Sequence, residues 1–495
     1  MRLRLGFILI AMIFALTGCG HTPPGEYAAS VVLSGGSGRA TVESPCCVTV
    51  TDTGAEALIR WSSPNYDYMI VNGEKYLPVN TEGNSEFRIP VELDKDMSVQ
   101  ADTVAMSTPH LIDYTIHFKL LSEGEKGSED PVAAEAGHVP EGDTDMEPPV
   151  ISGIDHIKTD ELKYAECFKI HRYSEDYAVI QVNDGRNYLI IPEGKDTPEN
   201  IDPGIIVIKK PADHIYLVSS GVMCQFDALG AVSDIVLSGL ERDKWYIASA
   251  IDAMDKGEME YGGKYSAPDY EKILDKNVDL VIENTMILHT PKVLQKLSEL
   301  SLPVFIDRCN YESDPLGRCE WIKVYGVITG HEEEAEKAFL SQENLSKALE
   351  GKGPYDKKVV IFSMNSDHMI STKKKNDYFS KMVEIAGGTC LSPDVDPGDS
   401  ASSQVTISTE AFYEYATDAD IIIYNAAIED APESLEALKE LDTIFEDFKA
   451  VKEGNVYCTD KSLYQFAQKN GTIIDNLNKV ISGEEEDTEF FHKLR

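Results

Sequence analysis

The chain has 495 residues with 85 acidic against 45 basic side chains, a formal net charge of -40, and 42% of it is hydrophobic. That length and apolar content allow more than one buried core, about three units at ~150 residues each. The acidic balance argues against a nucleic-acid partner, because such a surface gathers counterions around itself instead of releasing them from phosphates.

Arg2 and Arg4 precede an apolar run over 5–16 that closes on Leu16-Thr17-Gly18-Cys19. The run is too short to span a bilayer, so it reads as a cleaved export leader, and the small-small-Cys ending is similar to a bacterial lipoprotein signal with lipid on Cys19. An ordinary secretory leader with an incidental cysteine is the other reading. The expectation is an extracytoplasmic protein held to the cell membrane by its lipid, at a bacterial surface or in a periplasm. The other cysteines, Cys46, Cys47, Cys167, Cys224, Cys309, Cys319, Cys390 and Cys458, form no CxxC pair, which removes a zinc ribbon. They lie on apolar segments as small buried hydrophobes, with pairing left open.

A Pro/Gly spacer over 22–25 leads into strand-like text over 27–120, with strands at 28–33, 57–61 and 114–118 and turns at Gly35-Gly36-Ser37-Gly38 and Asn72-Gly73. This predicts a small all-β sandwich. Over 121–150 Glu, Asp, Gly, Pro and Ala replace the aromatic residues, and such a segment buries too little apolar surface to fold, so it is an acidic flexible linker. From about residue 157 short buried strands alternate with amphipathic helices, as in parallel α/β layers. One block has strands at 215–218, 235–237, 280–282 and 304–306. A second has them at 359–362, 421–424 and 456–458. Between the blocks, Ala335, Phe339 and Leu340 mark one face of a helix over 332–349, ended by Gly351 and Gly353. The expected division is a lobe over 151–330, a bridging helix over 331–352 and a second lobe over 353–495.

Ligands bind parallel sheets outside the carboxyl ends of the strands, so two lobes on one helix present two rims of loops to a shared cleft. The loops are 219–226, 283–289, 307–312, 363–368, 425–428 and 460–466. Ser220, Met223, Asn365 and Asn425 are candidate ligand contacts on them.

The run from Pro315-Leu316-Gly317-Arg318-Cys319-Glu320-Trp321-Ile322-Lys323 through Gly330, followed by Glu332-Glu333-Glu334-Ala335-Glu336, resembles the linker-helix signature of substrate-binding proteins for iron-siderophore, haem and cobalamin ABC importers. The resemblance extends over roughly 157–481. It implies two Rossmann-like lobes bridged by one long helix, here preceded by the all-β sandwich, and a cargo that is a ferric siderophore, haem or cobalamin, with no resident cofactor. It also implies an ABC permease dimer as partner. Glu271 and Glu410, each on the helix before a strand, match the family's carboxylates that dock onto permease arginines, where charge-assisted pairs fix orientation. Solvated helix-start glutamates are the plainer alternative.

Arg308, after the strand over 304–306, is a candidate for carboxylate or catecholate oxygens of a chelate, the alternative being a pair with Asp307 or Glu312. Trp245, Tyr261, Tyr265, Tyr311 and Tyr464 are candidate aromatic walls for a large flat ligand, or ordinary packing. His289, Asp307, His368 and Asp460 suit first-row cations by type, but their spacing supports no metal site. The β-domain is weakly similar to near-iron-transporter haem-binding domains, with His110 standing where those carry a tyrosine and Tyr114 matching their second one; a solvated strand-edge histidine is the competing reading. Tyr66-Asp67-Tyr68-Met69 reads equally as core alternation. No Gly-x-Ser-x-Gly elbow, phosphate loop or dinucleotide fingerprint opens either α/β block, so no enzyme is predicted. The expected function is a solute-binding lipoprotein of an ABC importer. The alternatives are a surface adhesion lipoprotein whose β-domain binds a host or wall component, and a hydrolase on a similar scaffold.

Overall fold

Strand-forming alternation governs the first part of the chain. The computed structural model describes residues 25–35, 42, 46–51, 54–61, 65–80, 84–93, 95–103, 110–120, 146–366, 368–375, 377–394, 404–427 and 429–495. Cys19 with its leader, and 121–145 of the expected linker, lie outside the described residues. The chain divides into two compact units, Met1–Gly127 and Ser128–Arg495.

In the first unit eight strands from Gly25–Gly35 to His110–Leu120 make one antiparallel sheet. Along Cys46–Thr51 the residues Cys46, Val48 and Val50 are buried while their neighbours are not, the period-two pattern of a strand with one wet face. The inward faces close over a core containing Trp61, Phe87 and Phe118. Asn72 and Gly73, with φ of 53° and 82°, turn the hairpin between Tyr66–Val71 and Glu74–Tyr76, as the Asn-Gly pair requires.

The second unit opens differently from the expected alternation. His156–Thr159, Phe168–Tyr173, Ala178–Val182 and Asn187–Ile191 form an antiparallel meander, and Ile205–Lys209 then adds in parallel to Asn187–Ile191. The connections inside the meander are too short for a crossover helix, which forces antiparallel pairing. True α/β alternation begins at Ile215–Leu217. Five parallel strands follow in the spatial order 260–261, 235–238, 215–217, 280–283, 304–306, so strand order reverses between Ile215–Leu217 and Leu280–Glu283. The second lobe is built on Lys358–Met364, paired in parallel with Ile421–Tyr424, which pairs in parallel with Val456–Thr459. Its margins are antiparallel: Ile370–Lys373 with Gln404–Ile407 on one side and Phe491–Lys493 on the other.

A single helix, Glu332–Lys347, joins the lobes and packs against Ile322–Thr329 on one side and Asn470–Ser482 on the other. Glycine makes both approaches possible. A Cβ on Gly326 would stand 2.7 Å from the Ala335 Cβ, and one on Gly471 only 2.2 Å from the Gln342 carbonyl oxygen. No helix among the described residues is long and apolar enough to cross a membrane.

Candidate functional site

The topological switch in the first lobe places the turn Ser220–Val222 and the segment after Glu283 at the carboxyl edge of its sheet, the usual position of ligand crevices in open α/β sheets. The corresponding edge of the second lobe carries the turn Lys461–Gln465, and the two edges meet. Gln465 is fully buried and works across the seam: its Oε1 accepts from the Tyr246 amide at 2.9 Å and its Nε2 donates to the Lys244 carbonyl at 2.8 Å. Tyr246 and Tyr464 add an edge-to-face contact at 6.3 Å. Closer to the bridging helix, the Gln468 amide donates to Cys224 Sγ at 3.3 Å and Asn470 donates to the Pro315 carbonyl at 2.8 Å.

Between these contacts lies a small pocket, lined from the first lobe by Asn310 and Arg318 and from the second by Tyr378, Phe379, Leu463 and Tyr464, among others. The Arg318 guanidinium sits 3.5 Å from the Tyr378 ring centroid, a cation–π contact across the cleft. It also donates to the Glu312 carbonyl at 3.1 Å and to the Asn310 carbonyl.

Of the residues singled out from the sequence, Tyr464 lines this cavity. Trp245 does not wall a ligand: it is 4% exposed, its indole N–H donates to Ser238 Oγ at 3.0 Å, and it packs into the core beneath its loop. Met223 is likewise core, with no exposed surface, because the helix Met223–Leu229 turns it inward. Ser220 is buried at the seam. Asn365 and Asn425 shape their own loops, accepting from the Met369 and Ala427 amides. Tyr261 ends the margin strand Glu260–Tyr261, and Tyr265 packs against the apolar cluster around Tyr216. Arg308 is paired with neither Asp307 nor Glu312; its Nη1 lies 3.1 Å from Asp184 Oδ2, and its guanidinium stacks 4.2 Å from the Tyr311 ring. Arg318 and Tyr378 were missed. Arg318 stood inside the linker-helix motif, but nothing in the text near Tyr378 distinguishes it from a core tyrosine.

The expected carboxylate neighbours of Arg308 are committed elsewhere. Asp307 accepts the Tyr325 hydroxyl at 2.6 Å, and burial pushes its carboxyl up to about 6 against the pull of that bond. Glu312 accepts the amides of Glu166 and Cys167 and the Trp321 indole. Glu283 is fully buried with neither oxygen partnered, and burial drives its carboxyl well above the usual range. Asp460 caps the turn that follows it by accepting from the Ser462 amide, while His368 is exposed in a tight turn at φ 57°. Among the described residues Asp307, His368 and Asp460 form no group with metal-ligand spacing. Among the described residues one group has the spacing for a metal, Asp213, His214 and Asp279. It lies at the opposite, amino edge of the sheet, where Asp279 takes the Asp213 and His214 amides just as Asp420 takes the Lys358 amide in the second lobe, a strand-start device common to both.

Glu271 and Glu410 are both exposed and occupy matching places. Each is the second residue of a helix, after the N-caps Asp269 and Ser408, whose side chains accept from Lys272 and Ala411 amides. Each helix leads to a central parallel strand, Leu280–Glu283 paired with Ile215–Leu217 in one lobe and Ile421–Tyr424 paired with Lys358–Met364 in the other. A helix running back along a parallel sheet starts at the carboxyl edge, so each glutamate stands on the cleft side of its own lobe. The helix-start amides and Ser408 hold the Glu410 carboxyl below its ordinary value.

In the β-unit Tyr114 is 4% exposed and its hydroxyl lies 3.2 Å from that of Tyr66, beside Trp61. It is a core residue, so the match to a haem-ligating tyrosine does not carry over to its side chain. All eight cysteines among the described residues are free.

Residues 248–463 match the family described as periplasmic binding protein. An uncharacterized lipoprotein of Methanocaldococcus jannaschii is 26% identical over 350 residues, spanning 65% of this chain and 82% of the relative. YhfQ of Bacillus subtilis, which carries the name ABC transporter substrate-binding lipoprotein, is 22% identical over 223 residues, 44% of this chain and 68% of the relative. Among solved structures, the periplasmic haem-binding protein HutB of Vibrio cholerae superposes with a TM-score of 0.44 at 18% identity, over 53% of this chain and 97% of HutB. The matched segment runs from the first lobe through the bridging helix into the second, and over it this chain is similar to a periplasmic binding protein.

Proposed function

We propose that the chain is the lipid-anchored solute receptor of an ABC importer, capturing an iron chelate (a siderophore or haem) or cobalamin between its lobes and delivering it to the permease. The observation that carries the reading is the pair of facing carboxyl edges joined by one stiff helix, with direct lobe-to-lobe bonds through Gln465 and a small pocket between the lobes. The choice of a metal chelate follows from the linker-helix motif, and the name of the Bacillus subtilis relative agrees with the importer role.

In this reading the lobes correspond to 151–330 and 353–495 about a bridge over 331–352. Cys19 carries the lipid, the linker over 121–150 gives reach, and the β-unit is an accessory module. Arg308, Tyr311 and Tyr464 contact the ligand. The matched glutamates report lobe spacing to arginines of the permease, so docking depends on both lobes at once.

The test removes both carboxylates. Glu271→Ala with Glu410→Ala is expected to abolish uptake of the bound chelate into cells while leaving its affinity for the purified protein within about twofold. Uptake at the wild-type rate would overturn the docking role. Tryptophan quenching by haemin, cobalamin and ferric siderophores is expected to give one saturable response.

A further inference from the structure

We infer that Asp213, His214 and Asp279 bind a divalent cation of the zinc type at the amino edge of the first lobe's sheet, on the side away from the cleft, as a structural ion and not as cargo. Strand register brings these residues together. Ile215, Ile235 and Leu280 are aligned across three neighbouring parallel strands, and the residue before each is polar: His214, Asp234 and Asp279. Asp213 precedes His214, and one ligand atom each from Asp213, His214 and Asp279 lies within 4.8 Å of the other two.

The main chain fixes the frame. Asp279 accepts the Asp213 and His214 amides at 3.2 and 3.3 Å, and its own amide donates to the His214 carbonyl at 3.0 Å. His214 Nδ1 stands 2.9 Å from Asp213 Oδ1, and these two side chains are 48% and 52% exposed, so both can turn onto an ion that the fixed Asp279 carboxylate already borders. Asp234, on the neighbouring strand start, is within electrostatic range of Asp213 and of His331, the residue before the bridging helix. Among the described residues no lysine or arginine pairs with Asp213, Asp234 or Asp279.

The second lobe shows independently that this place takes a cation. Its sheet repeats the arrangement: Val359 aligns with Ile421, and Asp420, before Ile421, accepts the Lys358 amide at 2.8 Å. There the chain supplies the counter-charge itself, with Lys449 Nζ 2.6 Å from Asp420 Oδ1. In the first lobe the matching Asp279 has no ammonium group beside it, and a second carboxylate and an imidazole stand there instead. Two sheets that start alike, one neutralised by a lysine and the other lined with metal ligands, point to a metal ion in the lysine's role. The ligand set gives the class of ion. Magnesium and calcium take oxygen ligands, whereas an imidazole with carboxylates suits zinc, at bond lengths of about 2.0–2.2 Å with water in the remaining position. Such an ion ties together the starts of Ile215–Leu217 and Leu280–Glu283, the two strands between which the sheet order reverses.

The purified full chain is stripped with EDTA, dialysed and titrated with zinc chloride by calorimetry, with thermal melts in parallel. Zinc is expected to bind in one equivalent at this site and to raise the melting temperature, because an ion held by the folded protein alone stabilises it. His214→Gln and Asp279→Asn are each expected to weaken that binding at least tenfold and to abolish the rise in melting temperature. Asp279→Asn keeps an oxygen for the two amides, and if it does not fold, His214→Gln, which alters a half-exposed ring, carries the test. Asp420→Asn, at the matching place in the second lobe, is expected to leave zinc affinity within twofold, and magnesium and calcium are expected to bind at least tenfold more weakly than zinc. Zinc affinity within twofold of wild type in His214→Gln overturns the site. So does wild-type protein that binds no zinc, or that holds calcium as tightly as zinc, and so does an equal loss in Asp420→Asn.

Discussion

Glu320 has no exposed surface, yet it is a charged residue in a helix, and its oxygens accept the backbone amides of Lys163, Tyr164 and Ala165 while Lys323 pairs with it at 3.0 Å. It ties the segment over 163–165 to the end of the helix Pro315–Glu320. Glu320→Ala leaves three part-buried amides and the Lys323 ammonium without their buried acceptor and is expected to lower stability by about 2–4 kcal/mol, read from urea unfolding followed by tryptophan emission. Asp307 gives the opposite case. Its carboxyl lies at about 6 in the folded protein against an ordinary 3.8, so between those values the unfolded chain loses its proton first. Stability therefore falls as pH rises from about 4 to 6, by about 3 kcal/mol at most, and is level above that window. Asp307→Asn keeps an acceptor for the Tyr325 hydroxyl and is expected to flatten this slope in melts taken from pH 4 to pH 7.

The bridging helix was legible because Ala335 and Phe339 recur on one face and the glutamates at its start favour a helix N-terminus. Its observed span, Glu332–Lys347, falls short of the residue 349 expected from periodicity, because the last turn is closed by local bonds from Ala348 and Leu349. What holds it rigid could not be read from its own text. Gly471 lies more than a hundred residues further on, and its missing side chain lets Asn470–Ser482 touch the Gln342 carbonyl, where the Thr472 amide also meets Gln342 Oε1 at 3.0 Å. Gly471→Ala forces the helices apart and is expected to cost about 1–3 kcal/mol. A lowered melting temperature with ligand affinity altered in the same variant checks it. The meander over 156–191 was misread for a related reason: buried strands look alike whether a helix or a tight turn follows, and only the turn lengths fix the pairing direction.

Lobe closure depends on few bonds. Gln465 makes two hydrogen bonds across the seam, and Gln465→Ala removes both without creating a buried charge. At about 1 kcal/mol per bond this lowers the ratio of closed to open forms by a factor of roughly 30. The expected outcome is a larger radius of gyration in small-angle scattering of the ligand-free protein. An unchanged radius would place the restraint at Asn470 and Cys224 instead, next to the bridging helix.

Composition, the position of turn residues and hydrophobic period were enough to give a β-rich unit, two α/β lobes and one helix between them, since each of these is a local property of ten or twenty residues. The helix-start positions of Glu271 and Glu410 were legible for the same reason, each being set by its own cap and helix. The cleft was not. Trp245 and Met223 were drawn to it by proximity in the chain, but side-chain direction turned them into the core; Arg318 and Tyr378, sixty residues apart, meet only because the lobes close on each other. Arg308 found its carboxylate in Asp184, more than a hundred residues earlier, on a hairpin that no motif marks. Partners across such distances are chosen by packing of whole elements, and that choice exists only in the folded molecule.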